Sequence, residues 1–430
     1  MATDAPTLAP VAHTLSNGLR LLVTPMPYAR SVSISVYFAA GSRYEPTEQE
    51  AGLSHFLEHL CFKGTTRRPK PLDISMELDA IGGNINAATN RELTVYYAKV
   101  TPEHLEQATD VLADMLRNSL LIDSEIERER GVILEELAAV EDSPTEQVGV
   151  LLDGQLWPGQ PHGRDVAGTE QSVTEMPNPR TVDYYKRQYV PNATVISLAG
   201  AITVEAARNL IERRFGDWAP GTPVDWVRNH DEPRGPRIAL LEKDTEQAHV
   251  TIGMRALCSS DEDRYALDLF SVILGEGISS RLFSRLREEL GLCYDIHSYM
   301  STLLDTGMFG LYAGVDPKNA AETVREMSRE LARSLSTVAE DELARAKAVS
   351  RSRTQLRLED TRSVSAMFGA LAVLNLPMRT PEEALARSQA VTLDDVRRVA
   401  ERVIREDALQ LAIVGPVDAD PLDSALSLGA

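Results

Sequence analysis

The sequence predicts an α+β protein built from two homologous domains, each an antiparallel sheet covered by helices. Three observations carry this. The first is an internal repeat. The segment YAKVTPEHLEQATDVLADML from Tyr97 is similar to YAGVDPKNAAETVREMSREL from Tyr312, so that Tyr97, Val100, Pro102 and Leu116 fall opposite Tyr312, Val315, Pro317 and Leu331. The strand-like VISLAG ending at Gly200 matches LAIVG ending at Gly415 at the same offset of 215 residues. Two segments sharing one offset indicate duplication. The second is the order of patterns within each half, strands then helices then strands then helices, which favours helices packed on an antiparallel sheet. The third is length: 430 residues suit two to three domains.

The elements follow in order. Asn17-Gly18 separates HTLS from LRLLVTPM and predicts a hairpin turn. Residues 31–39, SVSISVYFA, alternate small polar with apolar positions, as a strand exposed on one face would. Residues 103–121 place Leu105, Ala108, Leu112, Met115 and Leu116 at helical spacing after the Thr101-Pro102 start. Residues 217–237, with four prolines and little periodicity, read as a linker between domains spanning 1–216 and 238–430.

Composition bounds the function. Apolar residues make up 43% and charged residues 25%, as in an ordinary globular protein. The net charge of −20, from 44 basic and 64 acidic residues, argues against nucleic acid or an anionic membrane as the main partner. Cutting after Phe215 leaves −10 on each side, so no acidic tail accounts for the balance. Cys61, Cys258 and Cys293 are widely spaced and form no CxxC, which fits a reducing compartment. MATDAPTLAP shows no basic start and no apolar segment of a secretory signal, and no run of eighteen apolar residues occurs, so the expected location is cytoplasmic. No G-x-S-x-G elbow, P-loop or dinucleotide fingerprint is present.

Residues 52–64, GLSHFLEHLCFKG, hold the chemistry. His55, Glu58 and His59 form H-x-x-E-H on a predicted helix. Residues four apart stack on one helix face, so both imidazoles can reach one metal, with Glu58 on the flank. Two imidazoles and a carboxylate suit zinc with a fourth position for water, and a free carboxylate beside that water can take its proton. Two surface histidines on a polar helix face is the competing explanation of the same residues. A third ligand must lie elsewhere. EIERERGVILEEL, residues 125–137, is glutamate-rich on a predicted helix, and a solvated acidic face is the default for any one of its glutamates.

HFLEH followed by ERERGVILEE resembles the pitrilysin/insulinase family of zinc peptidases, in the branch of the mitochondrial processing peptidases and their bacterial relatives. The resemblance covers roughly residues 10–420. It implies one zinc per chain, held by His55, His59 and Glu136, with Glu129 supporting the site and Glu58 as general base. GGNINAATNRELTVYY from Gly82 is similar to the family's edge strand, on which substrate backbone adds as a further strand, with Asn86 and Ala87 at the contacting positions. GEGISSRLFSRLREELGLCY, residues 275–294, resembles the family's second catalytic element and assigns substrate holding and oxyanion stabilisation to Arg287 and Tyr294. Each element occurs in one half alone. The resemblance implies a chamber formed by two chains, each half of a clamshell. Because this chain carries both elements, a homodimer is expected, with the Arg/Tyr pair serving the partner's zinc and peptides, basic ones by charge, as substrates. A non-catalytic subunit and one half of a heterodimeric peptidase are the alternatives. Cys61 is expected to be a packing residue, His162 a surface or gating residue, and His13, His104, His230, His249 and His297 structural.

Overall fold

The computed structural model describes residues 8–230 and 235–429. Residues 1–7, on which the reading of the N-terminus rests, and residues 231–234 of the expected linker lie outside the described residues.

In the first half the order is β1 (Val11–Thr14), β2 (Arg20–Pro25), β3 (Val32–Phe38), α1 (Leu53–Leu60), α2 (Pro71–Asp79), β4 (Asn84–Thr89), β5 (Thr94–Val100), α3 (Leu105–Asn118), α4 (Asp123–Asp142), α5 (Pro144–Leu156), α6 (Glu170–Glu175), α7 (Asn178–Gln188), β6 (Thr194–Gly200) and α8 (Val204–Phe215). The second half continues with β7 (Ile238–Leu241), β8 (Ala248–Arg255), α9 (Arg264–Gly275), β9 (Cys293–Thr302), β10 (Gly307–Val315), α10 (Ala320–Thr337), α11 (Glu340–Arg357), α12 (Thr361–Val373), α13 (Pro381–Ala390), α14 (Leu393–Val403), β11 (Gln410–Val414) and α15 (Leu422–Ala425).

The duplication is visible in both sheets. The strand orders are β1-β2-β6-β3-β5-β4 and β7-β11-β8-β10-β9, the same path apart from the extra β1. Both are antiparallel except for one parallel pair each, β2 with β6 and β7 with β11. The β1–β2 turn follows the Asn17-Gly18 expectation, with Gly18 at φ 89° and the Asn17 side chain accepting from Leu19 N–H.

Two compact units result, and neither is contiguous in sequence. One takes residues 1–137, 165–227 and 354–382; the other takes 138–164, 228–353 and 383–430. The contiguous division expected at 217–237 is crossed because each half donates a helix to the other's sheet.

This exchange explains why β3 departs from expectation. It is buried along its whole length, not exposed on one face. Val32, Ile34, Val36 and Phe38 enter the core formed with α1, α3, α7 and α8. The opposite face lies under α12, where Tyr37 packs with Val364 and Phe368. The small polar residues are satisfied there: Ser33 Oγ lies 2.9 Å from Thr361 Oγ1, and Ser365 Oγ donates to Ser35 Oγ at 2.9 Å. In the other unit, Val250, Ile252 and Met254 of β8 face a core with α9, α10 and α14. Its opposite face carries Val148, Leu152 and Leu156 of α5. Gly253 makes room for this helix, since a Cβ there would meet Leu152 Cδ2 at 2.5 Å.

Candidate metal centre

α1 is short, at eight residues, and its position depends on its ends. Gly52 precedes it at φ 90°, where a Cβ would lie 2.3 Å from the Ala167 carbonyl oxygen, so only glycine fits. The buried Glu45 carboxylate accepts from Gly52 N–H at 2.9 Å and Ser54 N–H at 2.7 Å. It thereby satisfies free amides at the positive end of the helix. Ser54 Oγ lies 2.9 Å from Tyr184 Oη. Leu53, Phe56, Leu57 and Leu60 are buried, and Cys61 joins them in the core as the packing residue expected. His55, Glu58 and His59 are left on the half-buried face.

α4 presents the other carboxylates. Ile126 and Ile133 anchor it in the core, and Glu129 and Glu136 lie three residues beyond each. Seven residues is almost two turns, so both glutamates fall on one stripe. Glu136 Oε2 stands 3.8 Å from His55 Nε2 and 3.6 Å from His59 Nε2. These three side chains form the one group of potential metal ligands among the described residues, their ligand atoms all within 4.8 Å of one another. Zinc–ligand bonds of about 2.0–2.1 Å at a tetrahedral angle separate neighbouring ligands by about 3.4 Å. The observed spacings therefore admit the ion after a small contraction. Glu135, next in sequence, is exposed and does not belong to the group.

The surroundings suit a ligand set. Glu129 is buried, and its Oε2 lies 3.2 Å from His59 Nδ1. A carboxylate on Nδ1 fixes the proton there and leaves Nε2 free as a ligand. Glu129 Oε1 is held by Lys63 Nζ at 2.7 Å. Burial first, and the neighbouring His59 second, push the His55 pKa down to about 4, which keeps that ring neutral. Burial raises the Glu58 pKa, hydrogen bonds from Thr89 and the neighbouring His59 oppose this, and Glu136 adds to it. Thr89 Oγ1 donates to Glu58 Oε2 at 2.5 Å.

β4 is the edge strand of its sheet and, among the described residues, pairs with β5 alone. Asn86 is exposed on it and Ala87 half-buried, and the Asn86 side chain accepts from Ala87 N–H at 2.8 Å. In the other unit, Arg287 lies on a π-helical turn, Phe283–Glu289, and Tyr294 on the edge strand β9. β9 shifts register beside Tyr294: Cys293 pairs with Val315 and Asp295 with Gly314, leaving Tyr294 unpaired between them. Such a bulge redirects a side chain. Tyr294 is 76% exposed, and the Arg287 guanidinium stacks over its ring at 4.9 Å. The fold thus brings this pair together.

His162 corrects an expectation. It is fully buried, not at the surface, because the turn at Pro161–Gly163 folds its ring onto Trp157 at 5.8 Å between centroids. Glu45, Lys63 and Thr89 are absent from the sequence reading. Thr89 shares the half-buried face of β4 with Ile85 and Ala87, so strand alternation alone was signal enough to place it inward.

Two sheet-and-helix domains related by duplication, with a His/His/Glu group and an adjacent carboxylate in one of them, have the donor set that a metal-dependent hydrolase requires. The chain belongs to the insulinase, or M16, peptidase family. The family model described as Insulinase (Peptidase family M16) matches residues 20–170, and that described as Peptidase M16 inactive domain matches residues 181–350. An uncharacterised zinc protease of Streptomyces coelicolor is 36% identical over 413 residues, 94% of this chain and 89% of its own. One from Bacillus subtilis is 34% identical over 94% of this chain and 98% of its own. The crystal structure of a protease from Helicobacter pylori superposes with a TM-score of 0.86 at 22% identity, covering 96% of this chain and all of that one, and shares the fold.

Proposed function

We propose that this protein is a zinc-dependent endopeptidase of the inverted H-x-x-E-H type. The carrying observation is the convergence of His55 Nε2, His59 Nε2 and Glu136 Oε2 at 3.6–3.8 Å, with Glu58 on the same helix face. These three residues would hold one zinc. Bound zinc supplies Lewis acidity and lowers the pKa of water to about 7. Glu58 takes the water proton and delivers it to the leaving amine. Burial raises its pKa above the ordinary carboxylate value, which strengthens it as a base. Glu129 and Lys63 hold the His59 ring. The open edge of β4 receives extended peptide backbone beside Asn86 and Ala87, a mode with little demand on substrate sequence.

Arg287 and Tyr294 are proposed to hold substrate and stabilise the oxyanion, acting on the zinc of a second copy in a homodimeric chamber. The charge of −20 favours basic peptides as substrates. Among the described residues no helix is long and apolar enough to cross a membrane. We propose a cytoplasmic location.

The test is Glu58→Gln assayed on a denatured peptide mixture, with zinc measured in parallel. Cleavage should fall by about 10²–10⁴-fold or more with zinc retained. Turnover at the parental rate would refute the assignment of the base. Arg287→Ala mixed with Glu58→Gln distinguishes the trans arrangement, since a heterodimer restores one complete site while each variant alone stays silent.

A further inference from the structure

We propose that Thr89 is a positioning residue for the general base, and that β4 thereby fixes the base and the peptide together. This rests on the reading of Glu58 as the base.

Glu58 sits on α1, where its long side chain has several rotamers and a half-buried setting. Thr89 restrains it from outside the helix. Its hydroxyl donates to Glu58 Oε2 at 2.5 Å, a charge-assisted bond of the strong kind. Thr89 is β-branched and stiff at χ1, so its hydroxyl is itself well placed. It is further supported by the buried Thr94, its register partner on β5, with Oγ1 atoms 3.1 Å apart. Because the Thr89 proton goes to Glu58, Thr94 is the donor to Thr89 Oγ1, and the Ala40 carbonyl, 3.2 Å from Thr94 Oγ1, is the competing acceptor for the same proton. A chain of hydrogen bonds therefore ties Glu58 to the last pair of the β4–β5 hairpin.

Thr89 lies two residues from Ala87 on the same strand face. An added peptide strand takes its register from β4, and the carboxylate that must meet the hydrated scissile bond is held by β4 as well. One rigid element then sets both distances. A displacement of about 1 Å between reacting groups can cost roughly a hundredfold in rate, so this coupling acts on turnover more than on binding.

The experiment compares Thr89→Val with Thr89→Ser and Glu58→Gln in the full chain. Valine keeps the shape and strand preference and removes the hydroxyl; serine restores it. Expected for Thr89→Val is a kcat lower by roughly ten- to hundredfold with KM within about twofold, and zinc content and melting temperature as in the parent. Thr89→Ser should recover to within about threefold of the parent. Parental kcat in Thr89→Val, or a serine variant as slow as the valine one, overturns the proposal. Should Thr89→Val fail to fold, Thr89→Ser against Thr89→Ala carries the same contrast. A silent Glu58→Gln beside a fully active Thr89→Val removes the role of Thr89 alone, whereas an active Glu58→Gln removes the base itself.

Discussion

One helix carries the candidate metal ligands in the first half of the molecule, and its counterpart in the second half packs into the core. α1 ends at Leu60 and α9 at Gly275, 215 residues apart, and α4 and α11 end at Asp142 and Arg357 with the same offset. At that offset His55, Glu58 and His59 correspond to Phe270, Ile273 and Leu274, all buried in the core of their unit. Glu129 corresponds to Ala344 and Glu136 to Arg351. The second site is not merely missing ligands. Apolar side chains fill the place of the imidazoles, and a cation stands where the carboxylate would be, so no divalent ion is favoured there. A fold that tolerates both versions separates the requirements of stability from those of the site.

The largest expected effect follows from that separation. His59→Ala should weaken zinc by at least roughly 10³-fold, because one of three protein ligands is lost, while the metal-free protein melts close to the parent. Equilibrium dialysis and a thermal scan check the two halves of this statement. The counterpart runs the other way: Phe270→Ala should cost about 3–5 kcal/mol through the cavity it leaves, with zinc stoichiometry unchanged. Loss of zinc in the Phe270 variant, at a temperature where the protein remains folded, would break the comparison.

A smaller effect depends on pH. Burial first, and the neighbouring His59 second, push the His55 pKa from 6.5 down to about 4 in the folded, metal-free protein. Between those values the unfolded chain binds a proton that the folded chain does not, so acid favours unfolding there. The metal-free protein should hold its full stability above pH 6.5 and lose up to about 3 kcal/mol from this group as pH falls to 4. His55→Asn should flatten that part of the profile. An unchanged slope in denaturant titrations at several pH values would remove His55 as its source.

What the sequence revealed follows the range of the interactions. His55, Glu58 and His59 were legible because helical periodicity and ligand chemistry act within five residues. The repeat was legible because both copies retain the same punctuation, and Arg287 with Tyr294 came through similarity alone. Contacts set by register were not legible. Thr89 meets Glu58 across 31 residues, through the pairing of β4 with β5 and the packing of α1 beside them. Glu45 reaches the head of α1 from a preceding turn. The two-sided burial of β3 was misread because the helix covering it arrives some 330 residues later, and its serines look solvent-facing until Thr361 and Ser365 are placed against them.

The smallest effect concerns the support of His59. Glu129 is buried, accepts from Lys63 Nζ at 2.7 Å and contacts His59 Nδ1 at 3.2 Å, so under the proposed assignment it would orient His59 without belonging to the His55/His59/Glu136 group. Glu129→Gln keeps the shape and removes the charge. It should weaken zinc by about 10–100-fold, far less than His59→Ala, with the His59 ring less firmly fixed in its tautomer. Lys63→Met should act in the same direction and by less, since Glu129 remains and only its counter-charge is lost. A competition assay with a chelating dye measures both. Equal losses in Glu129→Gln and His59→Ala would mean that Glu129 itself binds the ion, and the division between ligand and support on α4 would have to be redrawn.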